Sequence, residues 1–271
     1  KNLTAVTEFF LLGFQGSRDL RTFLFYSVLI VFCATISGNL LIITLVSTNK
    51  NLHTPMYFFI SQLSFSDILL STDIVPNMLH ILLNNGGTIT FIGCITQLYF
   101  FGLSEAFECF LLTVMSYDRY VAICNPLRYT SIMTMGHCEK LVTTCWSLVI
   151  LISIMDTITP STLTFCGPNI IDHFFCDLIP LFEISCSDII IVQLQSSFLS
   201  IILLIIPIIV IVGCYVNIIA SILKIPSNIS RHKAFSTCSS HLIVVSIFYC
   251  SLFAVYFFPT KGQTSNISKV L

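Results

Sequence analysis

The sequence predicts an all-α protein, a bundle of transmembrane helices, from three observations. Apolar residues make up 55% of the 271 residues and charged residues only 9%, far below the roughly 25% charged residues of a soluble domain. Six apolar stretches are long enough to cross a hydrocarbon core, which takes about 20 helical residues. These stretches lack a period of two, and backbone amides cannot stay unpaired in lipid, so helices are favoured over a barrel.

Short polar segments with turn residues, such as 84–87 and 226–228, separate the apolar stretches. We expect the spans near residues 23–47, 57–80, 95–121, 140–160, 196–223 and 237–259. The membrane region therefore covers 23–259, with an N-terminal segment at 1–22 and a final segment at 260–271. The longest connection, 161–195, is rich in Cys and acids.

Basic residues and cysteines indicate the orientation. With the N-terminus outside, seven Lys and Arg fall on the inner side and five on the outer side, a bias in the direction of the positive-inside rule. Cys94, Cys166, Cys176 and Cys186 all then fall outside, where disulfides persist. Four cysteines permit two bonds in three possible pairings. The other eight are expected to be small apolar packing residues.

The same outer side carries Asn2-Leu3-Thr4, a sequon in the N-terminal segment. We expect Asn2 to accept a glycan. No cleavable signal peptide is visible before residue 23. The first span is therefore expected to act as its own insertion signal.

Several motifs follow one another in order along the chain. They are Gly38-Asn39, "HTPMYFFISQLSFSD" at 53–67, "MSYDRYVAICNPLRY" at 115–129, "KAFSTCSSHL" at 233–242 and "FYCSLFAVYF" at 248–257. Together they resemble the signature segments of vertebrate odorant receptors, the largest branch of the rhodopsin-like (class A) G-protein-coupled receptors. The resemblance runs from "VTEFFLLGF" at 6–14 to "SKVL" at 268–271, which is nearly the whole chain.

The sequence departs from this family in one respect. The family has a seventh helix with a Pro-Met-Leu-Asn-Pro motif, and this sequence stops at Leu271, where that helix would begin. Residues 260–271 then correspond to the third outer loop and the start of helix seven, with six of the seven helices present. Either the sequence is partial or it encodes a truncated remnant that does not signal. We favour the partial sequence, because the internal motifs are intact.

Asp118 and Arg119 lie side by side directly after the apolar run from Phe107 to Met115. At the inner end of the third span, a long Arg side chain can reach interfacial water or a nearby carboxylate. A simple positive-inside anchor is the alternative interpretation of Arg119. With the whole motif present, the resemblance implies an activation switch formed by Asp118, Arg119 and Tyr120. Arg119 would contact neighbouring helix ends at rest and the G protein when active.

Two acids lie deep within the predicted spans. Asp67 lies midway along the second span, and Glu108 lies about three helical turns before Arg119. An ionised carboxylate there costs roughly 2.5–3.5 kcal/mol unless it is paired or hydrated, so it usually faces the bundle interior. The resemblance implies that Asn39, Asp67 and Glu108 surround a hydrated pocket that can hold Na⁺. Two protonated acids in a polar network without an ion are the other open interpretation, and no further cofactor is expected.

Glu105 lies one turn outward of Glu108 on the same helix face. It could bind an amine, donate a hydrogen bond when protonated, or bond to a neighbouring helix as a neutral structural group. The resemblance implies a ligand pocket lined by residues of spans three, five and six. These residues are Gly102, Glu105, Ala106, Cys109, Leu199, Ser200, Leu203, Leu252, Phe253 and Tyr256. Most are apolar or small, as a site for a volatile molecule requires, and each could instead serve ordinary helix packing.

Two further tyrosines extend the predicted switch. Tyr249, in the sixth span, can couple ligand contact to rotation of its helix, or it can simply fill the core. Tyr215, near the inner end of the fifth span, is expected to bond toward Arg119 in the active form.

The outer segment 165–188 resembles the long second loop of the same family. The resemblance implies a Cys94–Cys176 bond that pins this loop to the third span. It also implies a Cys166–Cys186 bond within the loop.

Enzyme motifs are missing from the sequence, which has no P-loop, His-Glu-x-x-His, Gly-rich nucleotide turn or paired Cys-x-x-Cys set. Acids inside spans also mark ion pathways, so a transporter or channel is the alternative class. The lack of inverted repeats and the ordered motifs disfavour that alternative. The sequence therefore predicts an odorant receptor in the plasma membrane, with its N-terminus extracellular. Its expected partners are a small volatile odorant, a stimulatory olfactory-type heterotrimeric G protein and membrane lipid, with no nucleic acid.

Overall fold

The structure, a computed structural model, describes residues 6–166 and 168–257, without the side chains of Lys233 and residues 255–257. Three predictions lie outside the described residues. They concern the glycan at Asn2, the side chain of Tyr256 and the segment 260–271. They stay predictions.

Six long helices, called spans one to six below, make up most of the described chain. They run over Arg18–Thr48, Pro55–Asn84, Phe91–Cys124, Met135–Ser161, Ile190–Leu223 and Asn228–Phe257. All six are long and apolar enough to cross a membrane, so the predicted all-α fold is confirmed. Each helix begins before the apolar run that predicted it, because a helix can continue into the interface until a capping group satisfies its end.

Local sequence explains where several spans begin. The hydroxyl oxygen of Thr90 accepts a hydrogen bond from the backbone N–H of Gly93 at 3.0 Å, and Ser17 and Thr134 cap spans one and four in the same way. Such caps satisfy backbone donors that have no partner within the helix. Pro55 is the first residue of span two, where a missing N–H costs nothing.

A three-stranded sheet, which the sequence analysis did not predict, lies at the end of the bundle that carries the N-terminal segment. This end is called the outer end below, after its predicted orientation, and the opposite end the inner end. Strand β1 (Glu8–Leu11) pairs antiparallel with β2 (Gly87–Thr90) and parallel with β3 (Ile170–Ile171). The sheet joins the N-terminal segment to the first and second outer loops. Its strands are only two to four residues long, too short for an alternating pattern to be recognised in the sequence.

Apolar side chains of the sheet and the loops form an outer cluster. Phe9 and Leu11 point inward and are buried, and Phe9 packs edge-on against Phe165 with ring centroids 5.1 Å apart. Further members of the cluster are Ile81, Leu82, Leu98, Ile171, Phe174 and Leu181. The outer cluster holds the N-terminal segment over spans two and three.

Two disulfide bonds fix the second outer loop. Cys94 is bonded to Cys176, and Cys166 is bonded to Cys186. These are the pairings that the resemblance implies, whereas the cysteine count alone left three open. The buried Gln97 adds a polar contact, because its Oε1 accepts a hydrogen bond from the backbone N–H of Cys176 at 3.0 Å.

Asp177 caps the short helix Leu178–Ile184 in the same loop, with its carboxylate accepting from the N–H of Leu178 at 2.7 Å. Burial raises the pKa of Asp177 above its ordinary value, the negative charge of Asp156 adds to the rise, and the bond to Leu178 opposes it. A carboxyl whose pKa is raised by folding holds its proton more tightly in the native state. Its ionisation at neutral pH therefore costs stability.

Replacing Asp177 with Asn is expected to raise thermal stability at neutral pH, because Asn caps a helix as well as Asp does and has no charge to desolvate. With a raised native pKa, stability is greatest below the ordinary Asp pKa of about 3.9 and falls as pH rises through the native value. Thermal unfolding in detergent, measured at acidic and neutral pH, should show a weaker fall for Asp177→Asn. The control is Asp188→Asn, because the exposed Asp188 also accepts a backbone N–H, that of Ile190 at the start of span five. An unchanged pH dependence in Asp177→Asn would contradict the prediction.

Span three is the centre of the inner part of the bundle. Its apolar residues pack against spans two, four and five in an inner cluster that includes Phe59, Phe107, Leu111, Leu112, Val142 and Ile218. The ring of Phe107 stacks on Trp146 with centroids 3.8 Å apart. Helix association in lipid depends on such close packing, and here it fixes the position of the polar side chains of span three.

Candidate functional site

The Asp118–Arg119 pair lies at the inner end of span three. Asp118 is 0% exposed, and the Nε of Arg119 donates to Oδ2 of Asp118 at 2.9 Å, with Nη2 contacting the same oxygen. The hydroxyl of Tyr129, in the short helix Tyr129–Ile132, donates to the other oxygen, Oδ1, at 2.9 Å. Both carboxylate oxygens therefore have partners, as a buried charge requires.

Tyr129 was missed as a site residue by the sequence analysis. Burial raises the pKa of its hydroxyl above the ordinary value, the charge of Asp118 adds to the rise, and Arg119 opposes it. Tyr129 therefore remains a hydrogen-bond donor at physiological pH. The motif "NPLRY" contains the residue, but only the turn at Pro126–Arg128 brings it back to the ion pair.

Tyr215 and His241 connect spans five and six near the same end of the bundle. Both are buried, their side chains share a hydrogen bond, and their rings are nearly parallel with centroids 5.9 Å apart. Arg119 lies close enough to act electrostatically on both. Tyr120, the third member of the predicted switch, packs against the inner cluster. The predicted bond of Tyr215 toward Arg119 belongs to the active form and stays a prediction.

Asn39, Asp67 and Glu108 meet in the middle of the bundle. The carboxyl of Asp67 interacts with the side chains of both Asn39 and Glu108, and Glu108 also interacts with Ser66. The Oε1 atom of Glu108 is buried and has no hydrogen-bond partner among the described residues. Within that part of the chain, no group of three or more His, Cys, Asp or Glu is arranged to hold a metal ion. An ion here would therefore need the Asn39 amide as well as the two acids.

The predicted ligand-binding residues of span three face the bundle. Ala106 and Cys109 are buried, and Gly102 and Glu105 are partly buried. Glu105 acts electrostatically on both Glu108 and Cys109. The structure therefore brings the predicted pocket residues of this span close to the buried acids.

The predicted pocket residues of spans five and six are less uniform. Leu199 is buried, and Leu203 and Leu252 are partly buried. Ser200 is exposed and Phe253 is 53% exposed, so these two side chains contribute little to the interior in this arrangement. Their assignment to the pocket stays a prediction.

Tyr249 connects span six to the span three residues of the predicted pocket. Its hydroxyl is buried, has no hydrogen-bond partner among the described residues, and lies close enough to the thiol of Cys109 to act on it electrostatically. Its ring packs edge-on against Phe248 with centroids 5.2 Å apart. Tyr249 is therefore in contact with the predicted pocket, as its expected coupling role requires.

A cavity of about 560 Å³, called the 5–6 groove below, lies between spans five and six. Its floor is formed by the buried residues Ile211, Tyr215 and Val245. Tyr215, Tyr249 and Phe253 are the three predicted site residues that line it. The sequence analysis did not find the groove.

One sequence signal could have located the 5–6 groove. Ser246, Cys250 and Ala254 all line it, and they follow one another at intervals of four along span six. Small residues at this spacing share one helix face and leave room beside a neighbouring helix.

The spans, the disulfide-fixed outer loop and the polar groups buried along span three define a multi-pass membrane protein whose candidate site lies inside a helical bundle. A family model described as "Olfactory receptor" matches residues 28–270. Olfactory receptor 11L1 of Homo sapiens is 44% identical over 271 residues, which cover 100% of this chain and 84% of that protein. The chain therefore belongs to the olfactory receptor family.

Other relatives agree with this assignment. Olfactory receptor 1G1 of Gorilla gorilla gorilla is 45% identical over 266 residues, which cover 98% of this chain and 85% of that protein. Olfactory receptor 1500 of Rattus norvegicus is 44% identical over 269 residues, covering 99% and 86%. Members of this family are signalling receptors and not enzymes, so the predicted class is confirmed.

Proposed function

We propose that this chain is an odorant receptor that binds a small volatile molecule inside its bundle and activates a stimulatory heterotrimeric G protein at the plasma membrane. The observation that carries the proposal is the buried Asp118–Arg119 pair held by Tyr129. An Arg that is neutralised by its neighbour and enclosed by helix ends becomes available to a protein partner only when those ends separate. The pair therefore suits a switch between two arrangements.

The mechanism is a shift between these two arrangements. At rest, Arg119 is bonded to Asp118, and Tyr215 is bonded to His241. Activation releases Arg119 from the pair and turns Tyr215 toward it. A ligand held among spans three, five and six shifts the population only by the difference between its affinities for the two arrangements.

The disulfides support an extracellular N-terminus. Both bonds and β1 belong to one end of the bundle, and disulfides persist outside the cytosol. Arg119 lies at the opposite end, which would place the switch in the cytosol. This orientation presents the switch to a G protein.

Reporter cells that express the protein at their surface test the proposed function. We expect cAMP to rise with at least one compound from a panel of volatile molecules. Ligand-driven flux of ions or solutes without cAMP would favour a transporter or channel. A protein that reaches the surface and stays silent with the whole panel would contradict the proposal and indicate a remnant that does not signal.

We further propose that Asn39, Asp67 and Glu108 hold a Na⁺ ion. Hard cations prefer oxygen ligands, and the three side chains supply carboxyl and amide oxygens, including the Oε1 of Glu108 that has no partner in the described chain. Two adjacent carboxyl groups resist simultaneous ionisation unless a cation compensates them. A bound Na⁺ would supply that charge and link the first three spans. Two protonated acids without an ion remain the alternative.

The sodium proposal predicts that Na⁺ stabilises the protein relative to K⁺ at equal ionic strength. A Na⁺ concentration about ten times the dissociation constant should add about 1.4 kcal/mol to the free energy of unfolding. Thermal unfolding in the two salts should show this difference in the unmodified protein and in Asp19→Asn, which alters an exposed acid at the start of span one. The difference should vanish in Asp67→Asn. Equal stability of the unmodified protein in both salts would favour the ion-free network.

A further inference from the structure

The outer end of the bundle is covered above spans two and three. The outer cluster seals the N-terminal strand onto these spans, and the Cys94–Cys176 bond fixes the second loop beside them. The hydrogen bond from the N–H of Cys176 reaches span three at Gln97. Along the helix, Gln97 lies about 8 Å before Gly102 of the predicted pocket, at 1.5 Å per residue. A molecule arriving from the water above spans two and three meets this disulfide-fixed cover before it reaches Gly102 of the predicted pocket.

The 5–6 groove, in contrast, opens sideways. Val212 and Val216 on its span five side are 55% and 61% exposed, and Phe253 on its span six side is 53% exposed. All lining residues belong to spans five and six, so no other described helix closes the mouth of the groove at the depth of the membrane. The groove is therefore accessible to molecules that are dissolved in the bilayer.

The lining of the groove selects for neutral molecules. Every lining residue is uncharged, and the polar groups among them are Tyr215, Ser246, Tyr249 and Cys250. Moving an ion into such surroundings without a partner costs many kcal/mol. The volume of about 560 Å³ lies within the range of about 300–1,000 Å³ that is usual for small-molecule sites.

Tyr249 separates the groove from the predicted pocket. Its ring lines the groove, while its hydroxyl interacts with Cys109 of span three. Phe253, one turn further outward on span six, belongs to both the groove lining and the predicted pocket. Tyr249 therefore borders the groove with its ring and lies beside Cys109 of the predicted pocket with its hydroxyl.

We propose that the 5–6 groove is the entrance through which small, neutral, membrane-dissolved molecules reach the predicted pocket, with Tyr249 as the gate. This proposal rests on the proposed function, because it takes the residues around Cys109 as the destination. Apolar molecules concentrate in the bilayer, since each buried CH₂ group contributes about 0.8 kcal/mol. An opening toward lipid therefore draws on a higher ligand concentration than an opening toward water.

An entrance differs from a binding site in a measurable way. Blocking an entrance slows entry and exit by the same factor and leaves the equilibrium occupancy of the pocket unchanged. Filling a binding site lowers the occupancy itself. The time course of labelling and its final level therefore distinguish the two.

The test uses the full chain in lipid nanodiscs and an aliphatic alcohol that carries a photoreactive diazirine. Samples are irradiated at successive times after mixing. Mass spectrometry then measures the label on the span three peptide that contains Cys109. Ser246→Phe fills the groove from span six, and Val212→Trp fills it from span five. Their controls are Val244→Phe and Val210→Trp, which enlarge exposed residues of the same helices outside the groove.

We expect labelling near Cys109 to approach its final level about tenfold more slowly in both filling variants, with the final level unchanged. The two controls should behave like the unmodified protein. An unchanged rate in the filling variants, a lowered final level at an unchanged rate, or no labelling near Cys109 in the unmodified protein would each overturn the proposal. None of these readouts uses cAMP, so a protein that admits the probe but stays silent in reporter cells would fail only the proposed function.

Discussion

Asp118→Asn is expected to raise cAMP in the absence of any odorant. The substitution keeps the shape of the side chain but removes the charge that holds Arg119. Breaking a buried ion pair typically costs about 3–5 kcal/mol. Each 1.4 kcal/mol of this cost that falls on the resting arrangement alone changes the ratio of active to resting receptors about tenfold. We expect a rise of at least about threefold over the unmodified receptor. The ceiling is about tenfold if the active state starts at about 10%, and it is higher if that state starts nearer to about 0.1%.

Reporter cells with equal surface levels of each variant measure this effect. Glu139→Gln is the matched control, because it removes one negative charge from an exposed position near the inner end of span four. Tyr129→Phe should give a smaller rise, since it removes one hydrogen bond to Asp118 and leaves the ion pair in place. Basal cAMP in Asp118→Asn equal to that of Glu139→Gln would show that the pair does not hold the resting state.

Cys94→Ser, like Cys176→Ser, which breaks the same bond, is expected to cause the largest loss of stability among single cysteine substitutions. The Cys94–Cys176 bond closes a loop with a sequence separation of 82 residues, for which the chain-entropy relation gives about 4.5 kcal/mol. The Cys166–Cys186 bond spans 20 residues, which corresponds to about 3.3 kcal/mol. Since domains are commonly stable by only about 5–15 kcal/mol, most of the Cys94→Ser protein should fail to reach the cell surface.

Surface antibody binding to an N-terminal tag and thermal unfolding in detergent measure the loss. Cys166→Ser should show an intermediate loss, and Cys33→Ser, at a free exposed cysteine of span one, should show none. A reducing agent should lower the unfolding temperature of the unmodified protein more than that of Cys94→Ser, which has only the Cys166–Cys186 bond left to lose. Equal surface levels of Cys94→Ser and Cys33→Ser would contradict the prediction.

The helices and their order follow from the sequence because a transmembrane helix is specified locally. Each span needs only an apolar run of sufficient length, since lipid forces every backbone group to find its partner within the helix. All six spans start earlier in the structure than predicted. For spans one, three and four, a cap such as Thr90, and not the apolar run, decides where the helix begins. Asp118 and Arg119 could be singled out for the same reason, as they are neighbours in the chain at the end of a span.

Contacts between distant segments required the tertiary structure. Tyr129 joins the ion pair because a turn folds it back, and the sheet forms because three short segments meet over the bundle. Neither pairing leaves a periodic pattern in the sequence. The pairing Cys94–Cys176 likewise depends on which loop lies above span three.

The sequence by itself determined that the chain has at least six membrane-crossing helices, belongs to one receptor family and carries its polar groups along the third span. Only the tertiary structure decided which of these groups touch, how the outer end is covered and where a cavity opens. The physical reason is that insertion into lipid depends on the composition of each segment alone. Packing depends on the facing surfaces of two helices, and in uniformly apolar spans many side chains can form such a surface equally well.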